Sequence, residues 1–154
     1  ISKTVPEIGK EIIERGLQET FLPGRMELIP TTPPIVLDGA HTPLSVKNLL
    51  GSFKKIFPQQ GVLIFGSVSG KRPDQMAGIL APAFQAIVIS TPGSFKQSDP
   101  EAVYRIFQKN HPTVFLEKDP SEALQKAKIL ACGTLPTLVT GSFFLVAEIR
   151  NLLR

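Results

Sequence analysis

The sequence IVLDGAHTP, residues 35–43, contains a predicted strand, a loop and the start of a helix. Ile35–Leu37 is an apolar run without polar alternation, which is typical of a strand covered on both faces of a sheet. The loop that follows reaches Thr42-Pro43, and proline is well tolerated at the first position of a helix. The stretch therefore predicts a buried strand that passes through a short loop into a helix.

The same unit recurs along the chain, so strands and helices alternate. Further apolar runs lie at residues 62–65, 86–89, 113–116 and 137–139, and further helix starts lie at Arg72-Pro73, Asp99-Pro100 and Asp119-Pro120. Additional helices are predicted over residues 6–17 and 143–153. This alternation predicts an α/β fold, doubly wound and Rossmann-like, in which a mostly parallel sheet carries helices on both faces.

Length and composition indicate one ordinary globular domain. The chain has 154 residues, of which 42% are hydrophobic and 19% are charged. A single cysteine, Cys132, cannot form an internal disulfide, which favours a cytoplasmic protein; we expect this thiol to be a small buried side chain. No apolar tract is long enough to predict a membrane span, and residues 1–16 do not resemble a signal peptide. Because the first residue is Ile1, we expect the chain to be cut from a longer one.

Charge alone does not select a partner. The net charge of +4 comes from scattered basic residues, 17 against 13 acidic ones. The absence of tryptophan and the single tyrosine argue against nucleic-acid binding, which relies on aromatic stacking. The balance fits a small anionic ligand, or merely a soluble domain.

Ligands of such sheets bind beyond the carboxyl ends of the parallel strands, which selects the loops 38–41, 66–72, 90–94 and 140–142. The second of these loops, GSVSGKR, resembles a phosphate-binding P-loop. It is one residue too short, however, and Arg72 replaces the Ser or Thr that binds magnesium. Lys71 is therefore either directed at an anion or simply solvated.

Three polar residues in these loops each have a functional and a structural interpretation. Asp38 could bind ribose hydroxyls or a metal-bound water, or form an Asx turn. His41 could contact a phosphate or transfer a proton, but a turn histidine bonded to the backbone is favoured. Ser142 could hold an anion at a helix N-terminus, or act as an N-cap. His111 lies at the opposite end of the sheet and is interpreted as structural.

Three motifs in order give the sequence a family resemblance: PGRME at 23–27, LDGAHTP at 37–43 and TGSFFLVAEIR at 140–150. They resemble PGR-(L/F)-E, LDGAHNP and TGS-L-(Y/F)-L-V-G-E-(V/I)-R of folylpolyglutamate synthase, often bifunctional with dihydrofolate synthase, in the Mur ligase superfamily. The resemblance covers the C-terminal domain of that enzyme. It implies that residues 1–22 are a trailing helix and hinge from an N-terminal ATPase domain, and that residues 23–154 form the C-terminal glutamate-ligase domain.

The resemblance implies an ATP-dependent carboxylate–amine ligase that adds L-glutamate to a folate, or also to dihydropteroate, through an acyl phosphate. Its partners would be ATP, L-glutamate, the folate or dihydropteroate, and its own N-terminal domain, without nucleic acid or membrane. The Mg²⁺ ligands and the P-loop of the family lie in that N-terminal domain. We therefore expect this chain alone to fold without catalysing.

The same resemblance suggests roles for individual residues. Arg25 would contact the ATP phosphates, Asp38 the ribose, and His41 would lie close to the nucleotide. Lys71, Ser142 and Thr42 would bind glutamate, and neither a catalytic residue nor a metal ligand is assigned.

Two departures from the family pattern affect these roles. Thr42 replaces the usual Asn after His41, and residues 70–72, Gly-Lys-Arg, replace Asp-Lys-Asp. The alternative to the ligase is a non-catalytic doubly wound module that binds a nucleotide or a phosphorylated partner.

Overall fold

A mostly parallel six-stranded sheet forms the centre of the computed structural model, which describes residues 9–19, 22–93 and 97–154. The strand order is β1-β2-β6-β3-β4-β5. Strands β2 to β6 run parallel, and only β1, at one edge, is antiparallel to its neighbour. The strands are Glu27–Ile29 (β1), Ile35–Leu37 (β2), Gly61–Phe65 (β3), Phe84–Ile89 (β4), Val114–Leu116 (β5) and Thr137–Thr140 (β6).

The helices after the first begin where the prolines and capping residues predict, whereas the first begins at Lys10, after a non-helical Gly9. They are Lys10–Glu19 (α1), Pro43–Ile56 (α2), Pro73–Leu80 (α3), Pro100–Gln108 (α4), Pro120–Ala131 (α5) and Phe143–Leu152 (α6), with a short 3₁₀ turn at Ala81–Ala83. Side chains of Thr42, Asp99, Asp119 and Ser142 accept hydrogen bonds from the first backbone N–H groups of their helices. Residues 6–8 of the predicted first helix lie outside the described residues.

Helices cover both faces of the sheet, which confirms the doubly wound prediction. Side chains of α2, α3 and α4 pack on one face, and those of α5 and α6 pack on the other. Successive side chains of a strand point to opposite faces, so Val36 belongs to the first cluster while Ile35 and Leu37 belong to the second. This double coverage explains why the strand sequences are continuously apolar.

The position of β6 creates the crevice of the fold. The chain crosses back after β5, through α5, and inserts β6 between β2 and β3. The loop after β6 leads to α6 on one face, whereas the loops after β2 and β3 lead to α2 and α3 on the other. Loops that diverge in this way leave a ligand crevice at the carboxyl ends of the strands.

Cys132 does not have the buried role expected from the sequence. The chain turns out of α5 at this residue, which adopts a left-handed conformation with φ 49° and exposes its side chain. Gly133 follows with φ 72°, which completes the turn. The expectation was wrong because the residue lies just beyond the apolar stripe of the helix. His111, in contrast, has the predicted structural role, since its ring bonds to the backbone of Phe84 and Thr113.

Within the part of the chain that the structure describes, every helix is too short or too polar to cross a membrane.

Candidate functional site

Three of the four predicted loops meet around a cavity of about 190 Å³ at the carboxyl ends of β2, β6 and β3. This is the crevice where the loops diverge to opposite faces of the sheet, the usual place for a ligand in such folds. The loop after β2 contributes one residue, the loop after β3 two, and the start of α6 the rest. The lining residues are His41, Val68, Lys71, Gly141, Ser142, Phe143 and Phe144.

The cavity combines a helix N-terminus with a positive charge. Ser142 is the N-cap of α6 and is buried, and its Oγ accepts a hydrogen bond of 3.2 Å from the Phe144 N–H. Its hydroxyl hydrogen is still available to donate. Lys71 lines the same cavity from the loop after β3. A helix N-terminus and an ammonium group both favour an anion, and a carboxylate or a phosphate would satisfy them equally.

His41 takes the backbone-bonded arrangement that the sequence favoured. Its Nδ1 lies 2.8 Å from the carbonyl oxygen of Gly39. A carbonyl can only accept, so Nδ1 carries the hydrogen. The Nε2 atom is then an acceptor in the neutral ring and a donor in the protonated ring. The ring therefore offers a hydrogen-bonding group at the cavity wall.

Asp38 forms the Asx turn that was its structural interpretation and also makes a second, longer-range contact. Its Oδ1 accepts a bond of 2.8 Å from the N–H of Ala40, and its Oδ2 accepts one of 2.9 Å from the N–H of Met26. Asp38 as a whole is 8% exposed. Asp38 consequently ties the turn before β1 to the loop after β2.

Arg25 lies on that same turn and contacts the cavity-lining residue Phe143. The turn is closed by left-handed residues on either side, Gly24 at φ 67° and Met26 at φ 46°. The Gly39 N–H donates to the Gly24 carbonyl over 2.9 Å. The exposed guanidinium of Arg25 lies over the ring of Phe143, with Cζ 4.4 Å from the ring centroid.

The structure brings His41, Lys71 and Ser142 together but does not add Thr42 to the cavity lining. Thr42 is exposed and caps α2 in a reciprocal arrangement with Ser45. Its Oγ1 accepts from the Ser45 N–H over 3.2 Å and lies 2.8 Å from the Ser45 hydroxyl. This capping duty leaves the predicted glutamate contact of Thr42 without geometric support.

A buried ion pair beside the site was missed by the sequence analysis. Arg150 on α6 donates through Nε to both carboxylate oxygens of Glu27, at 2.8 and 3.0 Å, and the Gly24 N–H donates to the same carboxylate over 2.8 Å. The Glu27 side chain is only 3% exposed. The available signal was that both charges lie inside the quoted motifs, one in 23–27 and one in 140–150.

Over residues 9–19, 22–93 and 97–154, no cluster of three His, Cys, Asp or Glu side chains could hold a metal ion.

This doubly wound domain, with an anion-directed cavity at its strand crossover, has the features of a nucleotide- or carboxylate-binding α/β domain. The family described as Mur ligase, glutamate ligase domain, matches residues 24–143, and the chain belongs to that family.

Named relatives and solved structures make the similarity more specific. The chain is 32% identical over 142 residues to a folylpolyglutamate synthase of Lacticaseibacillus casei, covering 92% of this chain and 32% of that protein. It is 26% identical to the crystal structure of a folylpolyglutamate synthase from Thermotoga maritima, with a TM-score of 0.80 over 95% of this chain and 34% of the other.

A bifunctional folylpolyglutamate synthase/dihydrofolate synthase from Yersinia pestis, crystallised with Mn, AMPPNP and L-glutamate bound, shares the fold at a TM-score of 0.78 and 21% identity. The match covers 95% of this chain and 35% of the other. The chain spans about a third or less of the length of the relatives that it matches.

Proposed function

We propose that this chain is the glutamate-ligase domain of a cytoplasmic, ATP-dependent ligase that adds L-glutamate to folates, and to dihydropteroate if the enzyme is bifunctional. The observation that carries the proposal is the cavity where Lys71, His41 and the N-terminus of α6 converge. The similarity to folylpolyglutamate synthases supports the choice of substrate class. The Yersinia pestis relative, with a nucleotide analogue and L-glutamate bound, supports both ligands.

The reaction needs charge neutralisation more than it needs an acid or base. A folate carboxylate oxygen attacks the γ-phosphorus of ATP, ADP leaves, and an acyl phosphate forms. The glutamate amine then attacks the acyl carbon, the C–O bond to phosphate breaks, and the amine loses a proton. Negative charge on phosphate and carboxylate groups persists throughout, so preorganised cations and N–H groups lower the barrier.

Within this chain, the cavity is the proposed site for the incoming glutamate. Lys71 would attract a glutamate carboxylate, and Ser142 with the first N–H groups of α6 would hydrogen-bond to it. This anchor would hold one of the two carboxylates of glutamate. The amine of glutamate must stay free to attack. Val68, Phe143 and Phe144 would shield the anchor from water.

The turn that carries Arg25, before β1, is proposed to face the nucleotide. Arg25 is exposed and would contact the ATP phosphates, and His41, which contacts the same Phe143 ring, would lie near the nucleotide. We propose that Asp38 contributes mainly by holding the turn of Arg25, because both of its oxygens already accept backbone N–H groups. A ribose hydroxyl would have to donate to a remaining lone pair of the same carboxylate.

We further propose that residues 1–22 lead in from a larger N-terminal ATPase domain, and that residues 23–154 act against it. Two side chains of α1, Ile12 and Ile13, are about half exposed, as expected of a helix that packs elsewhere. The Mg²⁺ site and the main phosphate-binding loop would then lie in that other domain, so this chain alone would not catalyse.

Incorporation of labelled L-glutamate by the full-length protein, with ATP, Mg²⁺ and a monoglutamyl folate or dihydropteroate, tests the proposal. We expect one ADP for each glutamate added. Lys71→Ala should raise the KM for glutamate about 10- to 100-fold, the worth of a hydrogen bond to a charged group.

Lys128→Ala is the matched control, because Lys128 is exposed on α5 and away from this cavity. It should leave the KM for glutamate unchanged. Absence of glutamate-dependent ADP release with either acceptor would overturn the proposed function. If Lys71→Ala changed only the KM for ATP, Lys71 would bind the nucleotide and not glutamate.

A further inference from the structure

Phe143 is the first residue of α6 and contacts the parts of the site that come from different loops. It follows the N-cap Ser142, lines the cavity, and keeps 38% of its surface exposed. Its ring lies against the backbone of Gly39, where a Cβ atom would stand 2.3 Å from two ring carbons. The ring is therefore wedged against the loop after β2, at a place where only glycine leaves room.

The Phe143 ring also contacts Arg25, which is proposed to bind the ATP phosphates, and His41, which is proposed to lie near the nucleotide. The Arg25 Cζ atom is 4.4 Å from the ring centroid, inside the distance at which a cation is attracted to an aromatic face. The His41 ring meets it edge-on, with centroids 6.1 Å apart and planes at 61°. Phe143 thus contacts both side chains.

Arg25 has no other fixed contact through its side chain within the described part of the protein. Its backbone is anchored, because its turn is held by the Glu27 and Asp38 carboxylates. Its guanidinium forms neither a hydrogen bond nor an ion pair with a described residue, so the N–H donors remain available. The contact that the guanidinium does make is with the ring of Phe143, over which its Cζ atom lies.

We propose that Phe143 is a positioning residue for Arg25: its ring holds the guanidinium beside the cavity, with the N–H donors free to receive an anionic group. Contact with an aromatic ring restrains the arginine side chain and leaves its N–H donors unused. A carboxylate partner would occupy some of those donors. The ring therefore reduces the conformational entropy that the Arg25 side chain loses when it binds a phosphate. This role rests on the proposed function, and it makes Phe143 a residue that acts through Arg25.

The test compares Phe143→Leu with Phe143→Tyr in the full-length ligase. Leucine fills the space beside Gly39 but has no aromatic face, so we expect kcat to fall about 10- to 100-fold, as misplacement of a charge-stabilising group does. The KM for glutamate should change much less. Tyrosine keeps the ring and should recover most of the lost rate.

A double-mutant cycle shows whether the effect passes through Arg25. In an Arg25→Ala background, Phe143→Leu should cause no further loss of kcat, because the residue that it positions is absent. Phe144→Leu is the matched control. Phe144 is equally exposed, at 38%, and lines the same cavity. Any effect of Phe144→Leu should persist in full in the Arg25→Ala background, because no contact joins the Phe144 ring to Arg25.

A ligand-free readout uses the NMR spectrum of this 154-residue chain. Arg25 side-chain protons above an aromatic face should be shifted upfield, and the shift should vanish in Phe143→Leu and survive in Phe143→Tyr. Two results with an active enzyme would overturn the positioning role alone. In the first, Phe143→Leu keeps the wild-type kcat. In the second, Phe143→Leu lowers kcat by the same factor in the wild-type and Arg25→Ala backgrounds. A wild-type protein without ligase activity would overturn the proposed function and this role with it.

Discussion

Asp38 illustrates how one carboxylate can be both a turn former and a part of a site. It is nearly buried and accepts from the N–H groups of Met26 and Ala40. Hydrogen bonds to a charged group contribute about 1.5–3 kcal/mol. Asp38→Ala should therefore lower the free energy of unfolding of the chain by about that amount, measured by urea denaturation.

In the full-length enzyme the same substitution should raise the KM for ATP and lower kcat, because the turn that carries Arg25 loses its tie to the loop after β2. A variant that unfolds early while keeping the wild-type kcat/KM for ATP would reduce Asp38 to a purely structural residue.

At the scale of single residues, the sequence predicted which loops carry the candidate site better than it predicted which side chains contact each other. The loops of His41, Lys71 and Ser142 follow from the carboxyl-end rule, which needs only the strand positions. The contact of Arg25 with Phe143 joins residues far apart in the chain, and no local pattern encodes such an approach. For Thr42, the capping geometry with Ser45 is by itself a sufficient reason for a threonine, and its contact with glutamate stays a prediction.

The strand β1 and the helix α6 are joined through the buried pair Glu27–Arg150. Arg150→Ala would leave the Glu27 carboxylate, 3% exposed, without its charged partner. We expect the free energy of unfolding to fall by about 1.5–3 kcal/mol, because Arg150 is itself partly exposed and water can replace some of the contact. Urea denaturation at neutral pH measures the difference, and an unchanged midpoint would contradict the predicted role of the pair.

The exposed pair Lys118–Glu101 provides the control. The hydrogen bond from Lys118 lowers the pKa of Glu101, but the side chains of Lys118 and Glu101 are 59% and 43% exposed. Water screens such pairs, so Lys118→Ala should barely change the unfolding midpoint.

The loop after β2 and the start of α6 approach each other at Gly39. An added methyl group would meet the Phe143 ring at 2.3 Å, so the ring or the loop must move. Gly39→Ala should destabilise the chain by about 1–3 kcal/mol, as overpacking of a close contact does. Thermal melting measures the loss.

Gly78→Ala gives the matched comparison for that measurement. Gly78 lies in α3, is exposed, and has no atom within 4 Å of an added Cβ. Alanine is the better helix former there, so Gly78→Ala should stabilise the chain by about 0.5–1 kcal/mol. Equal effects of the two substitutions would contradict the close packing at Gly39.

Among the elements, the five parallel strands and their helices were predictable, whereas β1 was not. Continuous apolar runs fixed the positions of β2 to β6 to within about two residues. The strand Glu27–Ile29 is short, follows a left-handed Met26 and buries a charged side chain, so it carries no strand pattern. The pairing with Arg150, which makes burial of Glu27 tolerable, is a property of the folded chain.

For the whole molecule, we expect weak binding of ATP, if any, by this chain alone. The described residues form no cluster of metal ligands, and the cavity at the crevice measures only about 190 Å³. Isothermal titration calorimetry of the 154-residue chain with ATP and Mg²⁺ should show no micromolar binding. Micromolar, magnesium-dependent binding would contradict the proposed division between an ATPase domain and this one.

The central place of β6 has a consequence for synthesis on the ribosome. Strands β2 and β3 emerge early, yet neither pairs with the other; both hydrogen-bond to residues 137–140. Until those residues leave the exit tunnel, the nascent chain holds two partial sheets whose facing edges have unpaired backbone groups and apolar side chains. Such edges attract other chains. We therefore expect aggregation during translation to be concentrated before the appearance of β6, whose insertion closes both edges in one step.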